Sequence, residues 1–238
     1  MSTLSLLLDP FLSLLYPPRC LLCRTLGAAC LCDACARQIA PVPESLCARC
    51  GLGLSPEGGG CHHCALRRPA FDRARAMGAY EGVLRAAVHQ FKYRDRPQMA
   101  EPLGLLLADH ARAQSVALHD LRFDALLPVP MHPIRRRLRG YNQSERLARV
   151  LARDLGLPLE VKSLIRTRAT RPQVGLTGDA RRHNLRGAFA VPRPAKVAGR
   201  TLLLVDDVVT TGSTLSECAA ILKAAGAKAV YALTLAAG

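Results

Sequence analysis

The sequence predicts an α/β protein, a parallel sheet flanked by helices, preceded by a small Cys-rich domain held together by metal. Three observations lead there. Strand and helix patterns alternate from about Phe71 to the C-terminus, the order that builds a parallel sheet through crossover helices. Eight of the ten Cys form four C-x-x-C pairs between Cys20 and Cys64. Half of the 238 residues are apolar, which supplies a packed core and excludes an intrinsically disordered chain. The length suits one mid-sized domain and a small one.

Residues 4–16 are apolar, with Leu6, Leu7, Phe11, Leu14 and Leu15 at helical spacing. An export signal is not expected: the segment lacks a basic start, Asp9-Pro10 interrupts it, and Pro17-Pro18-Arg19 stands where small residues would be cleaved. It is also too short for a membrane span, which takes roughly 20 apolar residues. The expectation is a packed helix in a cytoplasmic protein. In a reducing compartment, clustered Cys read as metal ligands rather than disulfides.

The spacing agrees. Cys20/Cys23, Cys32/Cys35, Cys47/Cys50 and Cys61/Cys64 are knuckles whose two-residue turns bring paired thiolates to one tetrahedral ion. Eight ligands make two closed, structural zinc sites. A single reactive pair would suit redox chemistry better, and paired knuckles fit zinc better than an iron–sulfur cluster. Sequential pairing gives loops of 8 and 10 residues, and Ala40-Pro41-Val42-Pro43 separates the two sets. A crossed pairing stays open. Cys30 and Cys218 are left over, and His62 and His63 lie inside the last knuckle.

Beyond the module, residues 100–112 read as a helix with Leu103, Leu106 and Leu107 on one face. Residues 124–130 read as a strand entering a turn. Residues 143–155 form an amphipathic helix (Leu147, Val150, Leu151 and Leu155) stopped by Gly156. A buried strand follows at 200–205, then a helix at 214–225 and a strand at 229–235.

The segment 202–214 is the most informative. Its strand ends in Asp206-Asp207, and Thr210-Thr211-Gly212-Ser213-Thr214 then opens a helix. Ligands of open α/β sheets collect at strand C-termini, where loop amides, hydroxyls and a helix N-terminus cradle an anion. Two adjacent carboxylates suit a vicinal diol, or magnesium held through water. A phosphate and a diol together describe a sugar phosphate.

This segment closely resembles the thirteen-residue phosphoribosyl-pyrophosphate fingerprint of type I phosphoribosyltransferases. The whole chain resembles the ComF family, which includes competence protein ComFC and its GntX-like relatives. The likeness takes in Pro17-Pro18-Arg19-Cys20, the knuckles, Phe91-Lys92-Tyr93, Pro128-Val129-Pro130, Arg139-Gly140-Tyr141-Asn142-Gln143, and Gln173 with Arg182 and Asn184. It implies a type I phosphoribosyltransferase-like sheet at 70–238 behind a helix and double zinc ribbon at 1–69. Asp206 and Asp207 would then address the ribose hydroxyls, and the 5′-phosphate would sit in Thr210–Thr214. Residues 128–143 would be the pyrophosphate loop, and 166–186 the hood. Lys92, Arg139, Arg171 and Arg182 would contact phosphate.

The charge fits that picture. Lys and Arg number 33 against 18 acids, and residues 122–200 hold 18 of the bases against 5 acids. Guanidiniums suit phosphate oxygens, although Arg135, Arg136 and Arg137 read equally as a solvated edge. The resemblance implies phosphoribosyl pyrophosphate with magnesium as ligand, and single-stranded DNA and competence-machinery proteins as partners. Stacking residues are sparse in the basic segment (Phe123, Tyr141, Phe189). The expected function is a ComF-type phosphoribosyltransferase-like protein acting in DNA uptake. The alternative is an active transferase on an unidentified nitrogenous acceptor unrelated to DNA uptake. No residue reads as an obvious general base, and neither the acceptor nor the oligomeric state is legible.

Overall fold

The structure, a computed structural model, describes residues 17–27, 30–54, 60–66, 68–93, 96–113, 122–170 and 184–238. The N-terminal apolar helix, Gln173, Arg171 and Arg182 lie outside the described residues. A four-stranded parallel sheet runs β1-β6-β5-β2, with β1 at Arg73–Ala79, β2 at Ala125–Pro128, β5 at Thr201–Val209 and β6 at Ala229–Ala237. Strand alternation splits the core in two. Leu126, Leu203, Val205, Leu233 and Leu235 face one layer, and Leu127, Leu202, Leu204, Val230 and Ala232 face the other.

The first layer is covered by α3 (Gly82–Tyr93), α4 (Ala100–Ala113) and α6 (Gln143–Leu155). In α6, Leu147, Val150 and Leu151 are buried and Arg146, Arg149 and Arg153 are exposed or partly so. Asn142 accepts the Ser144 amide at 3.2 Å to start the helix, and Gly156 at φ 66° ends it. The second layer is covered by α7 (Ser213–Ala224), which buries Leu215, Cys218, Ala219 and Leu222. A two-stranded antiparallel ribbon, β3 (Ile165–Arg166) and β4 (Phe189–Ala190), flanks that layer. Among the described residues no helix is long and apolar enough to cross a membrane.

Most elements match the sequence reading, with one shift that concerns the site. β5 does not end at the acidic pair. Val208 and Val209 go on pairing with Ala236 and Ala237 of β6, because β-branched residues prolong the ladder. Asp206 and Asp207 therefore stand within the strand.

The Cys-rich segment carries α1 (Asp33–Ala36) and α2 (His62–Leu66) and is built twice on one plan. Cys20 N donates to Thr25 O at 3.0 Å and Arg24 N to Cys20 O at 3.0 Å. Cys47 N and Gly51 N make the equivalent bonds to Leu52 O at 2.9 Å and Cys47 O at 3.0 Å. Both residues after the second Cys are left-handed, Arg24 at φ 64° and Gly51 at φ 69°. Cys20, Leu31 and Cys35 join one core layer, whereas Cys47, Cys50 and Leu52 join the other. The module thus straddles the β1 edge. Ala74 N donates to Arg49 O at 2.7 Å and Ala79 N to Ala40 O at 3.0 Å, so an otherwise open edge strand is covered.

That contact explains why the two repeats differ. Arg24 is exposed, but a Cβ on Gly51 would lie 2.4 Å from Ala74 O. Gly51→Ala is expected to cost about 2–4 kcal/mol, from left-handed strain plus the clash. Gly27 is also left-handed, at φ 72°, and has nothing within 4 Å of its would-be Cβ. Gly27→Ala is expected to cost about 1 kcal/mol. Urea midpoints of the two variants check the difference.

Candidate functional site

Helix α6 follows β2 onto one face of the sheet, and α7 follows the neighbouring β5 onto the other. A crevice opens where adjacent strands send their connections to opposite sides. Here it is a cavity of about 1020 Å³. Its walls come from the C-terminal ends of β2 and β5, the start of α6, α5 (Pro133–Arg139) and Arg166 of β3.

Asp206 and Asp207 are the only carboxylates among the described lining residues, and they are not equivalent. Asp207 is buried and pairs with Lys92 Nζ of α3 at 2.9 Å. Burial works against the Lys92 ammonium, but Asp207 and then Asp206 outweigh it and hold its pKa above the ordinary value. Among the described residues Asp206 receives only neutral donors, Ser144 Oγ at 2.8 Å and the Asp207 amide at 2.9 Å. Burial, and then the Asp207 charge, push its carboxyl up to about 7. Asp206 therefore gains and loses its charge near neutral pH.

Facing this pair is the N-terminus of α6. Asn142 Nδ2 donates to Val129 O at 3.1 Å, which ties the cap to the end of β2. Gln143 is 1% exposed, and its Nε2 is buried without a hydrogen-bond partner. An orphaned donor beside a helix N-terminus favours an anion. Beyond β5, Thr210 and Thr214 line the cavity. Between them, Gly212 turns left-handed at φ 69° to start α7. Thr211 Oγ1 and Ser213 Oγ lie 2.8 Å apart. The Phe71 ring packs below this turn, 3.5 Å from where a Gly212 Cβ would stand, and Ala70 N donates to Ser216 Oγ at 3.0 Å. The segment leaving the second Cys set thereby supports the loop.

The structure therefore gathers Lys92, Arg139, Asn142, Gln143, Asp206, Asp207, Thr210 and Thr214 around one cavity, with Thr211, Gly212 and Ser213 in the adjoining turn. Lys92 is engaged by Asp207. Arg139 lies with its guanidinium carbon 5.1 Å from the Tyr93 ring centroid. The arginine run divides: Arg136 pairs with Glu145 at 3.3 Å, whereas Arg135 and Arg137 line the cavity. Helix α5, which carries the run, buries none of its residues. Sequence reading missed Ser144 and Tyr80 altogether, and took Arg166 only as the start of a segment. For Ser144 a signal existed, since it lies two residues after an Asn cap.

The two Cys sets fit a tetrahedral metal. Pairing is sequential, Cys20/Cys23/Cys32/Cys35 and Cys47/Cys50/Cys61/Cys64, each set with its sulfurs within 4.8 Å. Sulfur separations are 3.8 Å (Cys20–Cys35), 3.5 Å (Cys23–Cys32), 3.8 Å (Cys47–Cys64) and 3.4 Å (Cys50–Cys61). A tetrahedron with zinc–sulfur bonds of about 2.3 Å has edges of about 3.8 Å. Without a cation the thiols differ widely. The Thr25 hydroxyl draws Cys23 down to about 6, and burial pushes Cys35 up to about 12.

With this geometry in place, the relatives are informative. Residues 11–65 match the double zinc ribbon domain family and residues 142–238 the phosphoribosyl transferase domain family. The DNA utilization protein YhgH of Escherichia coli (strain K12) is 36% identical over 221 residues, 91% of this chain and 96% of its own length. Competence protein F of Haemophilus influenzae is 32% identical over 223 residues, 92% of this chain and 96% of its own. The chain belongs to the ComF family. Competence protein ComFC of Bacillus subtilis (strain 168), a more distant ComF relative, is 24% identical over 216 residues, 86% of this chain and 83% of its own. This ComF chain carries a type I phosphoribosyltransferase fold behind a double zinc ribbon with two four-cysteine sites.

Proposed function

We propose that this ComF protein binds phosphoribosyl pyrophosphate with magnesium in the cavity and acts in DNA uptake or DNA utilization. The observation that carries the reading is the placement of an acidic pair, a Thr/Gly/Ser turn and a helix start with a buried, unpartnered amide group around one crevice. In it, residues 1–69 are the helix and double ribbon, each four-cysteine set holding a structural zinc, and 70–238 are the phosphoribosyltransferase-like domain.

Each part of the donor then has a partner. Asp206 and Asp207 accept from the ribose hydroxyls, a diol that neutral or ionised carboxyls both bind. Thr210, Thr211, Gly212, Ser213 and Thr214 receive the 5′-phosphate at the start of α7. Asn142, Gln143 and Arg139 receive the diphosphate, and Lys92 swings between Asp207 and phosphate. Gln173 and Arg182, which lie outside the described residues, are the remaining donor contacts expected. When bound, magnesium supplies charge neutralisation for the diphosphate.

Transfer would break the bond from the anomeric carbon to the diphosphate oxygen, whose electron pair leaves with pyrophosphate. The acceptor nitrogen forms the new bond, and its proton passes to water. The residues at the α6 start stabilise the leaving charge.

The test is pyrophosphate release from the full-length chain against pooled nucleobases, amines and oligonucleotides. Release with one pool, abolished in Gln143→Ala, is the expected result. Release from the donor at equal rates without any acceptor would speak for hydrolysis and against transfer.

A further inference from the structure

Two arginines of the cavity wall, Arg135 in the expected pyrophosphate loop and Arg166 at the start of the expected hood, are not among the donor contacts assigned above. Arg166 rests over the Phe189 ring, 5.3 Å from its centroid, and one of its Nη atoms donates to Thr170 Oγ1. Arg135 of α5 donates to Thr170 O at 2.9 Å. Both line the cavity. The Arg166 Nε is buried and has no hydrogen-bond partner.

The pair also lacks counter-ions. Among the described residues neither arginine is ion-paired with a carboxylate, whereas Arg112, Arg136, Arg149, Arg153 and Arg200 all are. Burial, and then the Arg135 charge, lower the Arg166 pKa, although a guanidinium stays protonated throughout the working range. Asp206, which also lines the cavity, favours the Arg166 charge but already holds Ser144 and the Asp207 amide. Two half-buried like charges converging on a neutral threonine raise the energy of the empty site. A bound anion, held through the planar fork of Arg166, relieves it.

We propose that Arg135 and Arg166 form a subsite for an anionic group on the acceptor, a carboxylate or a phosphate monoester. This rests on the donor reading, which places phosphates at the α7 turn and at the α6 start and so leaves this wall for the second substrate. A carboxylate would come from a small nitrogenous acid, and a phosphate monoester from a nucleic-acid end.

The experiment measures equilibrium binding to the zinc-loaded full-length chain with two matched pairs of probes. They are nicotinate against nicotinamide, and a 5′-phosphorylated thymidine dinucleotide against its 5′-hydroxyl form. The charged member of at least one pair is expected to bind about 10-fold or more tightly, and which pair does so identifies the source. In Arg135→Gln/Arg166→Gln that preference disappears while the Kd for phosphoribosyl pyrophosphate changes less than about threefold. Arg166→Lys, which keeps the charge but not the fork, retains part of it. Arg135→Gln alone gives the same readout if the double variant does not fold. Absence of a preference in both pairs, or a preference untouched by the substitutions, overturns the inference. A parallel loss of donor affinity also overturns it, by assigning the arginines to the diphosphate. Failure of the unmodified chain to bind the donor, with the anion preference intact, strikes the donor reading alone.

Discussion

Replacing Asp206 by asparagine is expected to make the protein more stable at pH 8 while removing a carboxylate of the proposed donor site. The sign follows from linkage. Its carboxyl is raised from 3.8 to about 7 in the folded chain, so the folded state holds this proton more tightly than the unfolded state does. Stability from this group is complete below about pH 4 and is lost as the pH climbs through 7. Above pH 7 the folded chain carries a second carboxylate against Asp207, with one lysine for both. Asparagine keeps the two hydrogen bonds that Asp206 Oδ1 accepts, from Ser144 Oγ and the Asp207 amide, and sheds the charge. Because Asp206 opens onto the cavity, the gain is set at about 1–3 kcal/mol rather than the full shift. At about 2–4 °C per kcal/mol, that is a rise in Tm of roughly 2–12 °C at pH 8. At pH 4 the gain vanishes. Melting curves of both proteins across pH 4–8 check it, and an unchanged or lowered Tm at pH 8 would contradict the placement of the proton.

Loss of metal has the opposite and larger effect. Cys47 and Cys50 belong to the core layer that also holds Phe71, Leu202 and Leu204, so the second Cys set is part of the packing around the sheet. The backbone bond from Ala74 to Arg49 and the Arg75 guanidinium on the Ala48 carbonyl, at 3.1 Å, tie it to β1. Wild type is expected to carry two zinc ions per chain. Cys50→Ser is expected to carry one and to lose more than about 3 kcal/mol, since a structural site contributes folding energy directly. Cys30→Ser keeps both ions, because Cys30 belongs to neither set. Zinc content by elemental analysis alongside Tm distinguishes these outcomes. Two ions retained in Cys50→Ser would remove it from the ligand set.

How much of this was legible in the sequence depended on where each signal resides. Helix α6 was readable to the residue because its apolar stripe, Asn cap and Gly stop are all local. The Cys pairs were readable from spacing. Their pairing was not, because loops of either arrangement close at similar entropic cost. β1 gave only a weak signal: Ala74, Ala76 and Gly78 alternate with Arg73, Arg75 and Met77 but are small, and the strand is held by the Cys-rich module and β6 rather than by bulky side chains of its own. α5 was hidden because it buries nothing and therefore has no period. The acidic pair was legible as a pair. The difference between its members was not, since the burial of Asp206 and the pairing of Asp207 with Lys92, distant in sequence, arise only in the fold. Arg166 likewise looked like one base in a basic segment. Only the fold brings it to the cavity wall with its Nε buried.

The account turns on the cavity being a phosphoribosyl-pyrophosphate site, and calorimetry with that compound tests this most directly. The prediction is a single saturable site per chain that needs magnesium. Affinity is expected to fall more than about 100-fold in Asp206→Asn/Asp207→Asn, the loss of two charge-assisted contacts, with two zinc ions and a folded domain retained. Equal heats from the variant and the wild type, or binding indifferent to magnesium, would contradict it.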